Sequence, residues 1–157
     1  MSDAVLNIQK PVNFKEDVMS LEEKIKSMPG AIIGHEADES VAPLKHTFAD
    51  GCYVREIFMP AGLLLTSKIH KVKHPYFVMK GRCSVLTEDG MIEIKAPFSG
   101  ITEAGTKRVI HTHEDTVWIT VHVTDETDLE KIEEQLIAKT FNDLQLSHEE
   151  VLKLKED

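Results

Sequence analysis

The side chains best suited to chemistry fall in two stretches. Residues 62–81 read GLLLTSKIHKVKHPYFVMKG and carry Lys68, His70 and His74. Further along come Lys107-Arg108, then His111-Thr-His113-Glu-Asp115, then His122. Imidazole is a good ligand for divalent transition metals. His70 and His74, completed by His122 or His113, would make a site for zinc, iron, manganese or nickel. Lys68 and Arg108 argue for different chemistry, because two cations repel a divalent ion. They suit an anionic small molecule, and a guanidinium can grip a carboxylate or phosphate with two bonds. Both readings stay open, and the second needs no metal. Tyr53 and Arg55, in the run Cys-Tyr-Val-Arg-Glu-Ile-Phe, are further candidates for contacting a ligand. Each residue also has a plainer reading. The histidines can be satisfied wall residues, and Lys68 and Arg108 can pair with Glu56 or Glu103. Tyr53 and Arg55 can be the solvent side of an alternating strand.

The elements that must position these residues are mostly strands. Short apolar or alternating runs cover residues 45–49, 52–59, 63–69, 74–80, 82–87, 91–96, 98–103, 107–112 and 116–124. Asp50-Gly51 and Asp89-Gly90 are hairpin signals, and Pro60-Ala-Gly62 is a breaker. Turns every eight to twelve residues mark an antiparallel sandwich or barrel rather than strand–helix–strand units. Closure as a jelly roll would remove exposed edges. Positions 68, 70 and 74 share parity, so one regular strand would aim them the same way. Helical patterns flank the strands. Ser20-Leu-Glu-Glu23 reads as a capping box opening a short helix that Pro29-Gly30 stops, with residues 31–44 irregular. Thr127-Asp-Leu-Glu130 opens a second helix with Leu129, Ile132, Leu136 and Ile137 on one stripe. Ser147-His-Glu-Glu150 opens a weaker third. The expectation is a mainly β chain: an arm and short helix over 1–44, a barrel over 45–124, and an acidic helical tail over 125–157.

Composition narrows the partners. The chain has 157 residues and a net charge of −9. Residues 125–157 hold 11 acids against 4 lysines, which leaves −2 for the rest. Such a balance lacks the broad basic surface that nucleic-acid binding needs. Neither a leader nor an 18-residue apolar run is evident, so a cytoplasmic protein without membrane contact is expected. The two cysteines, Cys52 and Cys83, form no metal or disulfide pattern.

Residues 62–81 resemble the first motif of the cupin superfamily: a glycine, a His-x-His pair, a glutamate four residues on, and a second glycine. The spacing from Gly62 through Lys68, His70 and His74 to Gly81 agrees. Lys68 replaces the first histidine, and His74 replaces the glutamate. A weaker second motif aligns at residues 103–112, where Glu103 replaces a proline, Arg108 a ligand histidine and Thr112 an asparagine. The phrase from Phe48 through Glu56, with the turn Thr112-His-Glu-Asp115, also resembles small cupin-like proteins of tailed bacteriophages. The resemblance implies a single antiparallel jelly-roll barrel with Lys68, His70 and His74 facing inward, and a homodimer or higher homo-oligomer. It implies a small-molecule or divalent-metal-binding protein with a nonstandard histidine site. Enzymes, sensors and storage proteins share such a barrel, so the fold does not choose among them. A non-catalytic interaction module, such as a phage particle component with a degenerate metal-free barrel, is the alternative. In that case the protein resides in the bacterial host's cytoplasm or in the virion.

Overall fold

A computed structural model describes residues 14–25, 31–33, 41–87 and 89–138. Helix α1 spans Phe14–Ile25. Strands follow at β1 Ala31–Ile33, β2 Leu44–Ala49, β3 Cys52–Met59, β4 Leu64–Thr66, β5 Ile69–His70 and β6 His74–Lys80. They continue at β7 Arg82–Thr87, β8 Gly90–Lys95, β9 Phe98–Thr102, β10 Val109–Thr112 and β11 Thr116–Val123. Helix α2, Leu129–Leu136, and β12, Ile137–Ala138, close the described chain. The mainly β expectation holds.

Closure into a barrel does not. The strands form two five-stranded sheets, in the orders β1-β4-β10-β7-β8 and β2-β3-β11-β6-β9, with a small β12-β5 sheet beside them. No ladder among the described residues joins the two large sheets. The apolar run over 63–69 splits into β4 and β5, with Ser67 and Lys68 between. β5 then pairs with β12 rather than with either large sheet. Inward residues of the two sheets make one core that includes Met59, Leu65, Val78, Val85, Ile94 and Trp118.

The flanking elements also differ from the sequence reading. Helix α1 begins six residues before Ser20, which lies inside it rather than at its cap. Apolar packing of Val18, which is 1% exposed, outweighs the local capping signal. The Pro29-Gly30 stop and the helix expected at Ser147 lie outside the described residues. Ala31–Ile33, expected to be irregular, pairs in parallel with β4. Helix α2 is capped by Asp128 rather than Thr127; the Asp128 side chain accepts from the Glu130 and Lys131 N–H groups. Its stripe is shorter than expected: Ile132 and Leu136 are buried, Leu129 is exposed, and Ile137 belongs to β12.

The two glycines that bracket the first motif have left-handed backbones, Gly62 at φ 80° and Gly81 at φ 90°. Only Gly81 is also crowded. A Cβ there would meet the Asp115 carbonyl and lie 2.7 Å from Thr116 Oγ1. Gly81→Ala is therefore expected to cost about 3 kcal/mol, from the φ strain and the backbone clash together. Urea unfolding of the two proteins measures it, and a loss below ~1 kcal/mol would contradict the crowding.

Candidate functional site

A cavity of about 390 Å³ lies at one end of the space between the sheets, against helix α2. That volume falls in the usual range for a small organic ligand. Inward parity on β3, β6 and β11 supplies its walls. Tyr53, Arg55 and Ile57 alternate along β3, and Trp118, Thr120 and His122 along β11. His74 comes from the start of β6, and Arg108 from the segment before β10. Helix α2 covers one side, with Ile132 and Leu136 packed on Tyr53. Two bonds from Lys71 tie this helix down: its N–H donates to the Leu136 carbonyl and its Nζ to the Glu134 carbonyl, each at 2.8 Å.

Lys68, His70, His74, Arg108, Tyr53, Arg55 and His122 all line this cavity. Shared parity on one strand is not the reason for 68, 70 and 74, because the bend at residues 71–73 separates β5 from β6. The sheets bring the residues together across that bend. His113 is placed elsewhere. Its Nε2 lies 2.6 Å from Ser84 Oγ, beside His111 and Glu93, and it does not line the cavity. Ser84 also donates to Glu93. Ser84 alternates with the core residues Cys83 and Val85, so this cluster faces away from the core.

Three imidazoles meet in the cavity. Ring centres are 4.5 Å apart for His70 and His74, 4.4 Å for His74 and His122, and 6.5 Å for His70 and His122. His74 Nδ1 bonds the Val72 carbonyl at 2.9 Å, and His122 Nε2 lies 2.9 Å from Thr120 Oγ1. His70 Nδ1 and His74 Nε2 are buried with no hydrogen-bond partner among the described residues. Burial comes first in lowering all three imidazole pKa values, because a charged ring loses its hydration there. Neighbouring imidazoles add to the effect on His70 and His122, while the Val72 carbonyl works against it on His74. Arg108 lowers His70 and His74, and Arg55 lowers His70 and His122. His122 falls to about 4 and His70 well below its ordinary value. The three rings are neutral at pH 7.

The cations lining the cavity are Arg108, Arg55 and Lys68. Arg108 Nη1 donates to Thr102 Oγ1 at 2.9 Å. Its guanidinium carbon lies 4.8 Å from the centre of the Tyr76 ring and 5.9 Å from that of Trp118, which stack on each other. Cation–π contact therefore stands in place of the ion pair that the plainer reading offered. Among the described residues, neither Glu56 nor Glu103 pairs with Lys68 or Arg108; Glu103 binds Lys73 and Lys68 binds Glu133 at 2.7 Å. The carboxylates among the described lining residues, Glu130 and Glu133, both lie on α2. Arg55 faces the cavity rather than solvent. Sequence reasoning missed Tyr76, Trp118 and Thr102. Strand parity held the signal for the first two, since Tyr76 follows His74 by two and Trp118 precedes His122 by four.

No family model matches the chain. No curated protein matches it either. Solved structures to which it is similar include cupin proteins. One is a cupin 2 domain-containing protein from Halorhodospira halophila, 15% identical, covering 62% of this chain and 78% of that one, with a TM-score of 0.48. Another is a cupin superfamily protein from Desulfitobacterium hafniense, 13% identical, covering 57% and 84%, with a TM-score of 0.47. A protein of unknown function from Vibrio parahaemolyticus is 15% identical, covering 54% and 90%, with a TM-score of 0.48. No described helix is long and apolar enough to cross a membrane.

Neutral buried imidazoles carry a consequence for acid stability. Below about pH 6.5 the unfolded chain takes up protons that the folded histidines refuse, so stability falls with pH. Above that pH both states hold neutral imidazole and this contribution is constant. His122, at about 4 when folded, accounts for about 2 kcal/mol between pH 7 and pH 5. Urea unfolding of wild type and His122→Gln at the two pH values isolates that share. Equal pH slopes in both proteins would show that His122 is not held neutral.

Proposed function

We propose that this chain is a cupin-like protein that binds a small anionic organic molecule in the cavity between its sheets. The observation that carries this reading is Arg108. It is a guanidinium facing a cavity of ligand size, backed by aromatic rings and a threonine, with no carboxylate ion pair among the described residues. Burial lowers its pKa, yet a guanidinium stays charged at neutral pH. A half-buried cation without a counter-charge has lost part of its hydration, and an anionic ligand group offsets that loss. Arg55 adds positive potential on the facing strand, and the neutral rings of His70, His74 and His122 can donate or accept hydrogen bonds. Tyr53 and Trp118 supply apolar faces for the ligand's body. Lys68 stands at the side covered by α2, where Glu133 holds it.

A divalent metal is the second reading, favoured by the two unpartnered nitrogens, His70 Nδ1 and His74 Nε2. The remaining features fit poorly. Three imidazoles on one tetrahedral ion put their ring centres roughly 5 Å apart. His70 and His122 are wider than that, at 6.5 Å. Among the described residues no three His, Cys, Asp or Glu side chains are arranged to hold an ion. The two arginines would also oppose its charge. Where a metal is bound, His70, His74 and His122 are the residues that would hold it.

Two measurements decide between these readings. The chain has one tryptophan, so Trp118 fluorescence reports on the cavity directly. Small organic carboxylates and phosphate esters are screened by that signal. At least one is expected to bind saturably, and Arg108→Met to weaken it about tenfold or more, a change of ~1.4 kcal/mol. Undiminished binding by Arg108→Met, or no response across the panel, would sink the anion reading. Elemental analysis of wild type and His70→Ala/His74→Ala tests the metal. A stoichiometric ion lost in the double variant would put the second reading first.

A further inference from the structure

Arg108 is held in place by a network that reaches helix α1. Its backbone N–H donates to Ser67 Oγ at 2.9 Å, and its carbonyl accepts from the Ser67 N–H at 2.9 Å. The residues next to this pair, Thr66 and Lys107, both meet Glu22 of α1. Glu22 Oε1 accepts from Thr66 Oγ1 at 2.6 Å and from Lys107 Nζ at 2.6 Å. The Lys107 and Glu22 side chains are only 5% and 3% exposed. One carboxylate thus grips both chain segments that meet at Arg108.

We infer that Glu22 is a positioning residue for Arg108, which makes helix α1 part of the ligand site. The inference rests on the anion-binding reading above. Glu22 does not itself line the cavity; its effect runs through Thr66, which does, and through Lys107, the residue before Arg108. Breaking a buried ion pair from one side leaves the other charge uncompensated. Lys107 must then move toward water, and the backbone of Arg108 is attached to it. The guanidinium leaves the faces of Tyr76 and Trp118. Seating or unseating α1 therefore changes how much positive charge the cavity presents.

Quenching of Trp118 by iodide and by acrylamide reads this without knowledge of the natural ligand. Iodide is an anion that concentrates near positive charge, and acrylamide is neutral and reports access alone. Their ratio in the full chain measures the charge beside Trp118. Arg108→Met is expected to lower the ratio roughly twofold or more. Glu22→Gln is expected to lower it by a similar factor. Thr66→Val, which removes the hydroxyl's bond to Glu22 and leaves the Glu22–Lys107 ion pair, should lower it by less. Gly81→Ala, destabilised away from this network, should leave it at the wild-type value. A fall in Arg108→Met with wild-type ratios in both Glu22→Gln and Thr66→Val would overturn the inference and spare the anion-binding reading. Should Glu22→Gln fail to fold, Thr66→Val alone decides. An unchanged ratio in Arg108→Met would remove both, since no guanidinium would then stand beside Trp118 for Glu22 to place. An equal fall in Gly81→Ala would reduce Glu22 to a general stabiliser and overturn the positioning role.

Discussion

A guanidinium between two sheets, with aromatic faces behind it in place of a carboxylate, sets the terms for its surroundings. Water is largely excluded there, so each charge costs more and reaches further than at the surface. The three imidazoles respond by staying neutral. Thr102 and the stacked pair of Tyr76 and Trp118 respond by turning a hydroxyl and π-faces toward the cation. Desolvation keeps the histidines uncharged, and their neutrality leaves the arginines as the cavity's source of positive charge on the sheets.

Among the described residues, negative charge reaches the cavity from the helix side. Glu130 and Glu133 stand on α2, at the side of the cavity, and Glu133 is occupied with Lys68. Glu22 is buried, yet it does not line the cavity and is answered by Lys107. Glu93 belongs to the cluster with Ser84 and His113 on the outward side of the other sheet. The acidity of the chain as a whole therefore says little about the potential inside the cavity.

The strand pattern was readable because alternation and turn chemistry are local. β3, β6 and β7 run over the residues that the pattern marks, Cys52–Met59, His74–Lys80 and Arg82–Thr87. The helices were less readable, because a cap signal competes with burial. Ser20 has the chemistry of a cap and Val18 has the burial of a core residue, and the core residue set the helix boundary. β1 and β12 were illegible for a related reason. Segments of two or three residues have no period, and only their partners β4 and β5 make them strands.

For the site, the sequence by itself determined which groups were available: two histidines framed by glycines, a lysine before them, an arginine far downstream, and a third histidine on a late strand. It also determined that Gly62 and Gly81 could take the left-handed turns at either end. The tertiary structure decided which of these groups meet. It left His113 with Ser84, turned Lys68 to Glu133, and set Tyr76 and Trp118 rather than Glu56 or Glu103 beside Arg108. Composition and spacing act along the chain, over a few residues. The pairing of a residue near 70 with one near 108, and of both with a helix at 22, depends on which strands lie side by side, and no local pattern encodes that distance.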